Sequence, residues 1–248
     1  MIYKISPRHP RAKSLIIREK LVEGFRNGIV VPEGLIAHGR GEAFDYLLGE
    51  KTTKYAYKAE KVAVCLLLLS NTSIISVNGN TAALCASELV NLSNITKSKI
   101  EVNLFHKSIA RSKAIARILK KENAEEVLGL NTKSRSTIKD ISSNRKYVDR
   151  NGIMNSDTVF VALEDGDRTE SLVKKGKKVI SIDLNPLSRT AIASNVTIVD
   201  NIVRAIPNMI GISKELVNSD RFYLLQQIKS FDNVQNMRES LKMIRRGV

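Results

Sequence analysis

The spacing of apolar positions along this chain changes once, near residue 72. Before that point apolar residues recur at helical intervals. Pro10 stands where a helix begins, and Leu15, Ile16, Leu21, Val22 and Phe25 make a stripe that ends at Asn27-Gly28. Pro32 opens a second helix through Leu35 and Ile36, which the glycines of Gly39-Arg40-Gly41 are expected to break. A third helix is expected over residues 53–69, with Ala59, Val62, Ala63, Leu66 and Leu69 on one face. Beyond residue 72 short β-rich runs appear at 73–77, 100–104, 158–162, 178–182 and 196–199, separated by helical stretches at 81–92, 108–121, 169–175 and 201–216. This alternation predicts a parallel sheet with helices on both faces.

Two segments fall outside the pattern. Residues 131–156 carry six Lys/Arg, many Ser and Asn and little periodicity, and read as a long loop of the kind that forms lids or stays disordered. From Arg221 the tail regains helical spacing at Val234, Met237, Leu241 and Ile244, as expected of a terminal helix that packs on the body or on a partner subunit. We therefore read residues 1–248 as a single α/β domain: a helical segment 1–70, a βαβ region 71–216 and a helical tail 217–248.

Composition narrows the class. The chain is 43% apolar and 26% charged, ordinary for a soluble globular protein. Its longest apolar run, residues 62–69, is too short for a membrane span, and Met1-Ile-Tyr-Lys-Ile-Ser-Pro-Arg8 lacks the apolar centre of a signal peptide, so a cytoplasmic protein without a membrane partner is expected. Cys65 and Cys85 sit in apolar helical patterns and are expected to be buried free thiols. The net charge of +15 raises the question of nucleic acid, with seven Lys/Arg against two Glu in residues 1–27 and eight against one in 97–121. No RGG tract, zinc-finger spacing or aromatic RNP-like strand accompanies those charges. Solvated lysine faces, attraction of a small polyphosphate and a basic nucleic-acid-binding surface all remain open, and we expect no nucleic-acid partner.

The candidate chemistry collects where strands end, which in open α/β sheets is where ligands bind. Asn78-Gly79-Asn80-Thr81 follows the first strand and opens a helix, with Asn80 or Thr81 expected to cap it and free N–H groups to offer an anion site. His106 closes the next run. Glu164-Asp165-Gly166-Asp167-Arg168-Thr169-Glu170 and Asp183-Leu184-Asn185-Pro186-Leu187-Ser188-Arg189 follow two more, and Asp200-Asn201 ends the last. Carboxylates there can orient an amine, hold Mg²⁺ or meet a ribose hydroxyl. Arg40 between two glycines suits a guanidinium forking onto a phosphate, whereas Arg18 alone reads as a surface or paired arginine and His38 as a structural histidine. Gly-x4-Gly-Lys-Ser/Thr, Gly-x-Gly-x-x-Gly after a strand, zinc-ligand spacing and Gly-x-Ser-x-Gly are all missing, which disfavours P-loop NTPases, dinucleotide dehydrogenases and serine hydrolases.

Seven of these stretches together resemble the archaeal phosphopantothenate synthetases, the 4-phosphopantoate–β-alanine ligases. They are Arg18-Glu-Lys-Leu-Val-Glu-Gly24, Gly34-Leu-Ile-Ala-His-Gly-Arg-Gly-Glu-Ala-Phe-Asp-Tyr46, Ile75-Ser-Val-Asn-Gly-Asn-Thr-Ala-Ala83 and Glu101-Val-Asn-Leu-Phe-His106, with Leu163 through Glu170, Ile182 through Thr190 and Val196 through Arg204. The resemblance spans about residues 7–216 in order and leaves 131–156 and the tail less well matched. It implies an ATP-dependent ligase of coenzyme A synthesis that joins 4-phosphopantoate to β-alanine, releases AMP and diphosphate, uses ATP with Mg²⁺ and acts as a homodimer. By match, Arg18, Arg40, Asp183, Leu184, Asn185, Ser188, Arg189, Asp200 and Asn201 would contact ATP, with Arg40 also a candidate catalytic residue. Asn78, Gly79, Asn80, Thr81, His106, Asp165, Asp167 and Arg168 are assigned to the other substrates by position, and the metal ligands are open. Another nucleotide-dependent transferase and a basic nucleic-acid-binding α/β protein are the competing readings. The expected fold is α/β: a Rossmann-like parallel sheet covered by helices on both faces, preceded by a helical N-terminal segment.

Overall fold

The computed structural model of the chain describes residues 5–6 and 8–246, so most of the stretch read for a signal peptide, Met1 to Lys4 and Pro7, lies outside the described residues. Three helices come first: α1 (Ala12–Arg26), α2 (Pro32–Leu47) and α3 (Lys54–Leu69). There follow β1 (Ser73–Val77), α4 (Gly79–Thr96), β2 (Lys99–Val102), α5 (Ile109–Lys121) and β3 (Val127–Leu128). A small antiparallel pair, β4 (Arg135–Thr137) and β5 (Tyr147–Asp149), precedes β6 (Thr158–Ala162), α6 (Gly166–Lys174), β7 (Lys178–Ile182), α7 (Arg189–Ala193) and β8 (Val196–Ile198). The chain ends in α8 (Ile202–Leu216), α9 (Arg221–Lys229) and α10 (Asn233–Arg246).

The main sheet has the order β3-β2-β1-β6-β7-β8, with every neighbouring pair parallel. β1 and β6 are buried at all five positions, as strands covered on both faces must be. Alternation along them sorts two cores: Ile75, Val77, Phe160, Ile180 and Ile182 face a layer containing α3, α4, α5 and α8, while Ile74, Val159, Val161 and Val179 face the other side. Cys65 and Cys85 are both buried and free.

Four local expectations change. α2 runs unbroken through Gly39 and Gly41. Those glycines cost helix propensity of about 1 kcal/mol each relative to Ala, a cost that tertiary packing overrides; a Cβ on Gly41 would stand in ordinary contact with Leu184, at 3.6 Å. The stripe expected on α1 is not buried throughout: Leu21 is, but Ile16 and Phe25 are exposed. The cap of α4 is Asn78, two residues before the nearer of the two expected caps; its Oδ1 accepts from the Thr81 N–H, and Thr81 Oγ1 accepts in return from the Asn78 N–H. Finally, residues 131–156 are an ordered insertion. β4, β5, a 3₁₀ turn at Asn144–Lys146 and a π-helical turn at Arg150–Met154 pack Ile138, Ile141, Val148 and Ile153 onto the second face of the sheet. Glu101 on β2 holds it there, accepting from the N–H groups of Asp149 (3.0 Å) and Ile153 (2.8 Å). Such pairing across 48 and 52 residues leaves no periodic mark in either segment. The terminal helix behaves as expected at its inner edge, where Ile244 packs with Leu48 and Val199.

Candidate active site

The strand order reverses between β1 and β6, and at such a switch point the carboxyl ends of the strands open a crevice. Two cavities lie along this edge. The larger, about 570 Å³, sits beyond β6, β7 and β8 under α2. The smaller, about 280 Å³, sits beyond β1 and β2 at the start of α4. They share the residues Ala37, Phe105, Leu163 and Asp165, so they adjoin at the switch point.

The larger cavity gathers Arg40, Asp183, Leu184, Asn185, Ser188, Arg189, Asp200 and Asn201, together with Asp167. Short-range bonds shape its rim. Asp183 accepts from the Asn185 N–H at 2.9 Å and from the Ser188 hydroxyl, and Ser188 in turn caps α7 through the Ala191 N–H at 3.0 Å. Burial raises the Asp183 carboxyl above the usual carboxylate range against the pull of Ser188, Asn185 and Arg40. Arg189 turns outward to Glu170, with both bonds at 3.0 Å. Asp200 is 1% exposed and already engaged, accepting from Thr52 at 2.6 Å and from Arg204 Nε at 2.9 Å. Asn201 caps α8 and donates to Asp45 at 2.8 Å. Behind Asp200 lies Glu60, fully buried, pushed up to about 8 by burial and by the neighbouring Asp200 carboxylate.

Arg18 does not line either of these cavities. It forks onto Glu42, with Nη2 at 2.8 Å and Nε at 3.0 Å. His38 stands on the wall of the larger cavity with Nε2 buried and unbonded, and burial lowers its pKa.

The smaller cavity gathers Asn78, Gly79, Asn80, His106 and Asp165. Gly79 allows the α4 N-terminus to approach the main chain, since a Cβ there would fall 2.3 Å from the Ile29 carbonyl oxygen. The two asparagine amides are committed to the fold: Asn78 Nδ2 donates to the Ala162 carbonyl at 2.8 Å, tying β1 to β6, and Asn80 Nδ2 to the Gly34 carbonyl at 2.8 Å. Thr81 is 1% exposed and serves only the capping box. Arg168 is fully buried beneath the sheet edge, bonded to Ser76 at 3.3 Å and to Glu164, and it faces neither cavity. Two arginines the sequence reading passed over line the smaller cavity instead. Arg111 on α5 donates to the carbonyls of Ile29 (3.0 Å) and His106 (2.6 Å), and it makes no carboxylate pair among the described residues. Arg145, 5% exposed, reaches in from the insertion to Glu164 (2.9 Å) and Asp165 (2.7 Å). Arg111 resembled a solvated lysine-rich helix face, and Arg145 lay in a stretch without periodicity; neither offered a signal.

The segment between the cavities is set by an uncommon backbone. Leu163 has φ +53°, a left-handed conformation that costs a non-glycine residue roughly 1–2 kcal/mol. Asn78 holds it, donating also to its carbonyl at 3.3 Å. The turn sends Glu164 inward, where it pairs with both Arg145 and Arg168, and leaves Asp165 at the head of α6. Among the described residues no group of three or more His, Cys, Asp or Glu side chains forms a preformed metal site, and no helix is long and apolar enough to cross a membrane.

Comparison with known proteins agrees with this geometry. A family model described as phosphopantothenate/pantothenate synthetase matches residues 55–247. A protein of Thermococcus onnurineus named 4-phosphopantoate–β-alanine ligase is 49% identical over 243 residues, covering 98% of this chain and 92% of its own. Proteins of the same name from Methanosarcina mazei and Methanospirillum hungatei are 46% and 47% identical, covering 95% and 96% of this chain and 92% and 95% of theirs. With the family model spanning β1 to β8 and these relatives covering nearly the whole chain, the chain belongs to the phosphopantothenate/pantothenate synthetase family.

Proposed function

We propose that this chain is the ligase that joins 4-phosphopantoate to β-alanine, giving 4′-phosphopantothenate for coenzyme A synthesis, with ATP converted to AMP and diphosphate through an acyl-adenylate. The observation that carries the reading is the pair of adjoining cavities at the switch point, in a chain whose relatives bear that ligase name. Activating a carboxylate with a nucleotide requires two ligands to meet end to end, and the two cavities meet at Leu163 and Asp165.

In this reading the larger cavity takes ATP. Asp183 through Asn185 and Asp200-Asn201 stand on adjacent strand ends, β7 and β8, within reach of one nucleoside, and Arg40 approaches from α2 towards its phosphates. Arg18 acts at one remove, holding the buried Glu42 of α2. The smaller cavity takes 4-phosphopantoate, with its phosphate at Arg111, Arg145 and the α4 N-terminus. Donors fixed in place before the reaction suit the charge that builds as the substrate carboxylate attacks the α-phosphorus. Mg²⁺ usually keeps several waters and takes only one or two protein carboxylates; it would arrive on the triphosphate and find Asp167 at the cavity rim. The exposed Ile36, with Ile16 and Phe25, offers apolar area on α1 and α2 for a second copy, and we assign the chain to the cytoplasm as a homodimer without a nucleic-acid partner.

The test is a product analysis. ATP, β-alanine and 4-phosphopantoate with Mg²⁺ should yield AMP and diphosphate, and sedimentation should give twice the 27.6 kDa of the chain. ADP and phosphate as products would rule out the adenylate. Unphosphorylated pantoate should react poorly, because an empty phosphate site loses its charge-assisted hydrogen bonds.

A further inference from the structure

We propose that Asp165 is the catalytic proton acceptor that turns the incoming ammonium group into a nucleophile. The inference rests on the ligase reading above and names the residue that performs its second half-reaction.

Of the four residues common to both cavities, Ala37, Phe105, Leu163 and Asp165, only Asp165 can take up a proton. The bond made in the second half-reaction lies where the activated carboxyl meets the nucleotide, at this junction. Asp165 is also only partly engaged, through one of its two carboxylate oxygens. It occupies the N-cap position of α6, where an aspartate ordinarily bonds the helix N–H groups, yet it makes no capping bond. Its carboxylate turns to Arg145, Nε to Oδ2 at 2.7 Å, and its side chain remains 31% exposed.

The neighbouring groups are otherwise occupied or misplaced. Glu164 is 1% exposed at its side chain and held by Arg145 and Arg168. Asp167 lines the larger cavity only, and Glu33 and His106 line the smaller cavity only. The charged groups acting on Asp165 are Arg145 from the insertion and Glu164, Asp167 and Arg168 from its own turn. Burial outweighs the attraction of Arg145 and leaves the Asp165 pKa raised, which brings a carboxylate closer to useful basicity.

The protons and electrons balance as follows. An alkylammonium, with a pKa of about 10.4, is unreactive near neutrality until it loses a proton. Asp165 takes that proton and releases it to the water reaching its exposed edge. The amine lone pair then attacks the acyl carbon, and the C–N bond forms. The C–O bond to the phosphate oxygen breaks, AMP leaves with the bonding pair, and the second nitrogen proton, acidified by the acyl group, passes to solvent.

The experiment separates the two half-reactions in the full-length chain. Adenylate formation is read as ATP–diphosphate exchange dependent on 4-phosphopantoate. Acyl transfer is read with β-alanine and, in parallel, with hydroxylamine, which is already neutral near pH 7 and needs no base. Asp165→Asn should keep exchange within about threefold of wild type and keep hydroxamate formation, while the β-alanine rate falls on the order of 10²–10⁴-fold and, instead of levelling off as in wild type, climbs with pH in step with the free amine. Asp165→Glu, which keeps a carboxylate, should recover part of the β-alanine rate. Equal losses in all three assays, or a β-alanine rate unchanged in Asp165→Asn, would overturn the assignment. Wild-type protein that fails exchange and amide formation alike would instead remove the ligase reading on which it rests.

Discussion

The two halves of the strand-end edge are built by different means. Beyond β7 the polar groups are fixed by partners close in sequence, Asp183 by Asn185 and Ser188, and beyond β8 local bonds from Asn201 and Arg204 to Asp200 are joined by distant ones, Thr52 to Asp200 and Asn201 to Asp45. Beyond β1 and β2 they are fixed from far away. Arg145 reaches Glu164 across 19 residues, Glu101 holds Asp149 across 48, and Arg111 finds the Ile29 carbonyl across 82. A turn made of local bonds, such as that of Asp183, folds with its strand and tolerates change elsewhere. A site made of distant pairs exists only once the insertion has docked, so its integrity is a tertiary property.

The comparison breaks most readily at Glu101. Glu101→Ala leaves the N–H groups of Asp149 and Ile153 buried without an acceptor. At about 1–3 kcal/mol for each unsatisfied group, the loss should reach about 3–5 kcal/mol in denaturant titration. Hydrogen exchange should speed first in residues 131–156, while the β7 and β8 turns stay protected. Uniform exchange across both halves would show that they do not fold separately.

Arg40→Lys tests the local half for function. Lys keeps the charge but not the planar fork, so kcat/KM for ATP should fall about 10- to 100-fold, ~1.4–2.7 kcal/mol, with no change in melting temperature. Wild-type turnover would return Arg40 to a structural role. A smaller effect is expected at Asp183 and Asn201, which line the same cavity. Asp183→Ala or Asn201→Ala should raise KM for ATP about tenfold and leave KM for β-alanine nearly unchanged. Equal changes in both constants would take these residues out of the nucleotide site.

The smallest effect concerns pH. Glu60 is pushed up to about 8 and Glu101 to about 7, from 4.5. The folded state thus keeps protons that the unfolded chain releases above pH 4.5, so their stabilisation is complete below that pH and is lost as pH rises towards 7–8. Glu60→Gln removes the titration near Asp200. At pH 8 it should melt about 2–8 °C higher relative to wild type than at pH 5, a change of roughly 1–2 kcal/mol. A wild-type melting curve that rises from pH 5 to pH 8 would contradict the sign.

The amino-acid sequence by itself determined the alternation of strands and helices, because fully buried parallel strands must be short apolar runs and their connecting helices must repeat every 3.6 residues. It also determined that polar residues collect at strand ends, and the family resemblance marked Arg18, Arg40, Asp183, Leu184, Asn185, Ser188, Arg189, Asp200 and Asn201 as one group, of which all but Arg18 line one cavity. Only the tertiary structure decided the rest. It carried α2 straight through Gly39 and Gly41, because a propensity cost of about 1 kcal/mol at each glycine is one that tertiary context overrides. It sent Arg18 to Glu42 and buried Arg168 under the sheet edge. It ordered residues 131–156 around Glu101, brought Arg145 and Arg111 to the smaller cavity, and turned Leu163 left-handed so that Asp165 stands between the two. Periodicity records what a residue does within its own element; a single ion pair or a carbonyl bonded 82 positions away has no period to read.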